Sequence, residues 1–204
     1  MPREGRAWIG AGGWSLGGAL SFALALAGCN QLSAAPPPAT GLTASSLVSS
    51  EAVDAGPNLA VEGSIASDFT ARDIHGRDVR LADYLGRRAV LIDFWVTSCE
   101  PCVAEMPHIR KIYNRHKAKG FVVIAVSMDG LDAAQDVLAF VKRNEMTFPV
   151  LVDTDSHIAA MYNRARTAPV SILIDKTGHV VNVREGYTPG DEKFVEDDIE
   201  RALE

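Results

Sequence analysis

The chain has 204 residues, with 26 acidic against 20 basic side chains and a net charge of −6, a balance that argues against a nucleic-acid partner. Its three cysteines come without any H-x(3 to 5)-H pair, which argues against a four-ligand zinc site. No internal repeat is visible.

The first 28 residues read as an export signal: Arg3 and Arg6 precede an apolar Gly- and Ala-rich stretch from Ala7 to Ala27, long enough to cross a bilayer if retained. Leu26-Ala27-Gly28-Cys29 resembles the lipobox of bacterial lipoproteins, and that resemblance makes Cys29 an acylated anchor and not a redox thiol; the alternative is an uncleaved signal anchor. Residues 29–63 are rich in Ser, Ala, Pro and Gly, including Pro36-Pro37-Pro38, and read as a flexible tether. Residues 64–204, about 140 in number, suffice for one ordinary domain with a buried core.

Within that domain Phe69 to Arg72 and Asp78 to Arg80 flank His75-Gly76 and predict a short hairpin. The apolar run Ala89 to Val96 predicts the central strand. A helix is expected from Cys99 to about Lys119, with Cys102, Met106, Ile109, Tyr113 and His116 along one stripe and Pro107 inside it. Phe121 to Ser127 is the next strand, and Ala133 to Asn144 a helix with Val137, Leu138 and Val141 inward. Then follow a short strand Pro149 to Val152, a helix Ser156 to Tyr162, a hairpin of Val170 to Ile174 and Val180 to Arg184 turned at Lys176-Thr177-Gly178, and a last helix Asp191 to Leu203. Strands alternating with helices and closing on a hairpin and a helix predict an α/β fold, a mixed sheet covered on both faces.

Cys99-Glu100-Pro101-Cys102 follows the central strand directly. Two thiols at this spacing can close a disulfide across one helical turn, and unpaired N–H groups at a helix N-terminus favour a thiolate on the first of them. Cys99 is therefore the candidate nucleophile and Cys102, one turn deeper, the candidate resolving thiol. Half of a zinc site, a static structural disulfide and a chance pair are the competing readings. Asp93, inside Val90-Leu91-Ile92-Asp93-Phe94-Trp95, is costly to ionise if that strand is buried, so its pKa should rise toward the range of a proton carrier; an outward-facing edge position would make it an ordinary charge. Glu105 lies three residues after Cys102 on the same helix face, where it could tune the dithiol or move a proton. Glu100, between the cysteines, is a further anion. Negative neighbours oppose thiolate formation and lean the pair toward being a reductant. The five histidines form no Ser-His-Asp or Cys-His arrangement and read as packing or surface residues.

Ile92-Asp93-Phe94-Trp95 with the C-x-x-C, then Glu105-Met106-Pro107, resembles thioredoxin, and more closely the tethered thiol-disulfide oxidoreductases of cytochrome c maturation, the TlpA and ResA group. Phe148-Pro149-Val150, Thr167-Ala168-Pro169 and Ile172-Leu173-Ile174-Asp175 extend the resemblance over roughly residues 64–204. It implies a thioredoxin-like fold with an N-terminal β-hairpin and a central αβ insertion. It also implies a cis Pro169 abutting the dithiol, and a substrate surface of Trp95, Glu100, Pro101, Ala168 and Pro169. Two departures stand out: Ser98 replaces the aromatic residue usual before the first cysteine, and Asp93 stands where many of the maturation group carry Asn.

The reading is thus an envelope protein-disulfide reductase, periplasm-facing and lipid-anchored to a membrane. No cofactor is expected beyond the Cys99–Cys102 disulfide, and no metal. The resemblance implies disulfide-containing exported proteins as substrates, apocytochrome c among them, and a membrane thiol-disulfide donor of electrons; a monomer is expected. The alternatives are a disulfide donor, a thiol peroxidase and a copper(I)-binding dithiol module. The residues before the cysteines do not supply the Pro and Thr of a peroxidatic site, and a ligand histidine to complete a copper site is hard to find.

Overall fold

The structure, a computed structural model, describes residues 60–204. The expected export signal, Cys29 and most of the expected tether lie outside the described residues. Among those residues no helix is long and apolar enough to cross a membrane.

A two-stranded hairpin, β1 (Thr70–Arg72) and β2 (Asp78–Arg80), precedes the main sheet. Its turn is held by the Asp73 carboxylate, which accepts from the backbone N–H groups of His75 and Arg77, each at 2.9 Å. β3 (Ala89–Trp95) leads into α1 (Glu100–His116), followed by β4 (Phe121–Ser127), α2 (Ala134–Arg143), β5 (Val150–Val152), α3 (His157–Tyr162), β6 (Val170–Ile174), β7 (Val180–Glu185) and α4 (Glu192–Ala202). The five strands of the main sheet lie in the order β5-β4-β3-β6-β7. β3, β4 and β5 are parallel, and β6 and β7 run antiparallel to their neighbours. The mixed, two-faced sheet read from the sequence is the one that forms.

Every residue of β3 and β4 is buried, which explains why both read as nearly continuous apolar runs: central strands covered on both faces have no solvent side to mark with polar residues. One face carries α1, α2 and α4, through Met106, Ile109, Val137, Phe140, Val195 and Ile199. The other is covered by α3 and the N-terminal hairpin, through Phe69, Val79, Leu81, Ile158 and Tyr162. Asp153 caps α3, accepting from the N–H groups of Ile158 at 3.0 Å and Ala159 at 2.8 Å. The β6–β7 turn falls at Lys176-Thr177-Gly178 as expected, with Gly178 at φ +90°, where a side chain would be strained.

Two inward assignments are corrected. Leu138 is 38% exposed and Phe140 takes its place in the core, its ring 4.9 Å from that of Trp95. On α1 the buried stripe includes Ile112, whereas Tyr113 is only half-buried. On α2 the buried set Val137, Phe140 and Val141 follows the i, i+3, i+4 spacing of one helix face, which leaves Leu138 outside it; on α1 the adjacent apolar positions Ile112 and Tyr113 satisfy the 3.6-residue period almost equally well, and the helix presents Ile112.

Phe140→Ala is expected to cost about 3–5 kcal/mol of stability and Leu138→Ala less than about 1 kcal/mol. Urea unfolding of the two variants measures the difference; equal losses would contradict this orientation of α2.

Candidate active site

β3 ends at Trp95 at the rim of the sheet, and α1 starts five residues later. The connecting loop is pinned by Asp129 beyond β4, whose carboxylate accepts from the Thr97 N–H at 3.0 Å, the Thr97 hydroxyl at 2.8 Å and the Ser127 hydroxyl at 2.7 Å. Cys99 occupies the N-cap of α1 in an extended conformation, and its Sγ accepts from the Cys102 N–H at 3.2 Å. Cys99 and Cys102 form a disulfide with their Cα atoms 5.3 Å apart. Cys99 is half-buried, whereas Cys102 is fully enclosed. The difference in exposure expected from the motif is present.

Across the rim lies the loop before β6. The Ala168–Pro169 peptide is cis, and the Ala168 carbonyl oxygen lies 3.6 Å from the Cys99 Sγ although 69 residues separate them. The Pro169 carbonyl accepts from the Gly186 N–H at 2.8 Å, which brings the β7–α4 loop to the same rim. In that loop the Tyr187 hydroxyl donates to Glu192 Oε2 at 3.0 Å, Gly190 N–H donates to the same oxygen at 2.8 Å, and the Tyr187 ring stands 6.2 Å from that of His108. The sequence reading did not single out Gly186 and Tyr187. Their signal, a glycine directly after a strand and before Pro189-Gly190, marks a turn but does not say what the turn faces.

Asp93 is fully buried, and its Oδ1 accepts from the Ser171 hydroxyl at 3.0 Å. Its Oδ2 is buried and, among the described residues, without a partner, as is Oε2 of the buried Glu105. Burial pushes Asp93 up to about 7, opposed by the Ser171 hydrogen bond. Burial pushes Glu105 up to about 9, with the charge of Asp93 adding to it and Arg184 opposing. Two carboxyl groups in one dry pocket favour a state in which at least one keeps its proton. Glu105 is therefore not the solvated surface charge that its sequence position also allowed.

Glu100 and Pro101 are exposed on the first turn of α1, beside the disulfide. Trp95 is a correction: it was expected on the substrate surface, yet it is fully buried, in the same cluster as Cys102 and Phe140. Strand alternation turns it inward with Asp93, beneath α1 and α2, so it offers no area to a docking protein.

The chain matches the AhpC/TSA family over residues 63–183. It is 35% identical over 142 residues to the thiol-disulfide oxidoreductase ResA of Geobacillus kaustophilus, covering 70% of this chain and 76% of that one. The ResA of Bacillus thuringiensis subsp. konkukian is 37% identical over 124 residues, 61% of this chain and 69% of the relative. Among solved structures, a Chlorobium tepidum protein described as a DsbE-type thiol:disulfide interchange protein superposes with a TM-score of 0.64 at 31% identity, covering 71% of this chain and 99% of that one. The thioredoxin domain of a Bacteroides vulgatus thiol-disulfide oxidoreductase gives 0.55 at 28%, covering 68% and 98%.

The chain belongs to the AhpC/TSA family, in its ResA group. It is a thiol-disulfide oxidoreductase. In this ResA-type chain the dithiol stands at the rim of a thioredoxin-like sheet, and its reaction partners contain disulfides.

The raised carboxyls set a pH dependence of stability. The native state holds protons on Asp93 and Glu105 that the unfolded chain releases near their ordinary values, so their contribution is complete below about pH 4 and is lost as pH rises toward 9. Glu105→Gln should flatten this decline and make the disulfide form more stable than the parent at pH 9, as read by urea unfolding across pH; a parent-like slope would place Glu105 in water.

Proposed function

We propose that this protein is a reductant of the cell envelope, tethered through a lipid on Cys29, that cleaves disulfides in exported proteins. The observation that carries the assignment of roles is the contrast between the two sulfurs: Cys99 caps the helix at the accessible rim while Cys102 is sealed beneath it. An incoming disulfide can reach only Cys99. The Cys99 thiolate attacks one sulfur of the substrate, its partner sulfur leaves as a thiolate, and Cys102 then attacks the Cys99 sulfur of the mixed disulfide, releasing the second substrate thiol. The net change is oxidation of the dithiol and reduction of the substrate.

For Cys102 to attack, its proton must leave a site that water does not reach. Asp93, buried and raised toward neutrality, is the proposed acceptor, with Glu105 beside it as a second store of charge. The loop through Ala168 and Pro169 forms one wall of the docking groove, the exposed Glu100 and Pro101 a second, and Gly186 with Tyr187 a third. Acidic groups around the dithiol penalise a thiolate and favour the disulfide over the reduced pair, which makes the reduced protein a donor of electrons. A membrane thiol-disulfide donor would return those electrons. Relatives named ResA support an envelope setting, and apocytochrome c is the substrate that the maturation group suggests.

Cys102→Ser should accumulate a mixed disulfide through Cys99 that non-reducing electrophoresis detects, and Cys99→Ser should trap none. Equilibration of the Cys99–Cys102 pair with thiol buffers should give a potential near the thioredoxin value of roughly −270 mV, and a value near roughly −120 mV would make the protein a disulfide donor instead.

A further inference from the structure

His116 closes the last turn of α1, and its side chain is 1% exposed. An imidazole so enclosed needs polar partners, and it finds them on one other helix. Nε2 lies 2.7 Å from Glu196 Oε1 and 3.9 Å from Glu200 Oε1, both on α4. Nδ1 is buried and, among the described residues, without a partner, so the ring is aimed at these two carboxylates alone. Glu196 and Glu200, four residues apart, share one helix face, next to Val195 and Ile199, which carry α4 into the core that it shares with α1. Among the described residues these are the one set of three histidine, cysteine or carboxylate side chains whose ligand atoms lie within 4.8 Å of one another.

The contact to Glu200 is the informative one. At 3.9 Å it is too long for a hydrogen bond. It is close to the spacing of two ligands on one ion: metal–ligand bonds of about 2.1 Å at tetrahedral angles set ligand atoms about 3.4 Å apart. The observed 2.7 and 3.9 Å bracket that spacing, so Glu196 need retreat and Glu200 advance by less than about 1 Å each. Glu200 is the most exposed of the three and the freest to move.

We propose that His116, Glu196 and Glu200 bind a divalent transition-metal ion of the zinc class, which clamps the C-terminal end of α1 to α4. The imidazole nitrogen selects against magnesium and calcium, which seek oxygen, and three protein ligands leave a fourth position for water. The ion takes the place of the proton that Nε2 shares with Glu196. Arg115, whose guanidinium also donates to Glu196 Oε1, is a rival for that oxygen, and its exposed side chain can turn into water. At 1.5 Å per residue the site stands roughly 25 Å along α1 from Cys99. The ion therefore takes no part in thiol exchange; it braces the helix that carries the dithiol against the helix whose leading loop walls the rim. No sequence motif announces this site, because His116 and Glu196 stand 80 residues apart.

The test titrates zinc chloride into the full chain carrying Cys29→Ser, with Cys99 and Cys102 held as the disulfide, so that no thiol can take the metal. Calorimetry should give one zinc per chain, and zinc at roughly a hundredfold its dissociation constant should raise the unfolding temperature by about 5 °C; magnesium should do neither. Glu200→Gln, an exposed change that the fold tolerates, should weaken zinc binding by at least about tenfold. Arg115→Gln should tighten it, which a merely structural disturbance would not do. The ring protons of His116, followed by NMR, should shift with zinc while those of His75 and His157 stay in place. Parent-like affinity in Glu200→Gln, or shifts at the other histidines without one at His116, would mean an adventitious ion only and overturn the site. So would the absence of binding up to about 1 mM zinc, or equal weakening by Glu200→Gln and Arg115→Gln.

Discussion

The central constraint is that the most deeply buried strand of the sheet must end at the point where a helix begins. β3 is enclosed along its whole length, flanked by β4 and β6 and covered on both faces, so its end is fixed relative to the rest of the core. The loop that follows is held by Asp129 through both the backbone and the side chain of Thr97. Cys99 therefore arrives at the first turn of α1 with little freedom, and the N–H of Cys102 points at its sulfur. A helix terminus polarises a thiol only if the thiol stays there.

The same burial gives the site its acid–base character. A carboxyl in the middle of an apolar strand costs stability when charged, and the sheet supplies one hydroxyl, that of Ser171, to offset it. Glu105 is brought from α1 into the same dry space, which raises the cost of charging both. Such an arrangement is poor for stability above neutral pH and suits a group that must take and release a proton under a protein substrate. Arg184 is close enough to temper the pair, and it is itself engaged by Asp198 on α4.

Substrate recognition at this rim is a matter of edges more than of a deep pocket. Two of the larger described cavities lie away from the disulfide, a third opens beside it between Thr97, Ser98 and α2, and what surrounds Cys99 otherwise is a shallow rim of loops: Ala168 and Pro169, the first turn of α1, and Gly186 with Tyr187. Backbone groups and an accessible sulfur suit an extended peptide better than a small molecule, which supports the proposal that the substrates are proteins. Ser98, directly before Cys99, is exposed at this rim.

The sequence by itself determined the chemistry and most of the elements. A C-x-x-C directly after a buried strand identifies the dithiol, Asp93 stands out because it interrupts an apolar run, and the run lengths give the strands and helices to within a residue or two. These are local signals, carried by spacing and period. Tertiary structure decided what meets what. Pro169 and Cys99 are neighbours only because β6 pairs with β3, and Ser171 reaches Asp93 across 78 residues by the same register. Trp95 faces the core and not the substrate because the pleat alternates from Asp93, and Phe140 in place of Leu138 fills the core because the rotation of a helix about its axis is set by the sheet it covers. Gly186 and Tyr187 join the rim because the β6–β7 pairing ends at Val170 and Glu185 and the Gly186 N–H reaches the Pro169 carbonyl. Periodicity fixes which residues share a face, and only packing between distant elements fixes where that face points.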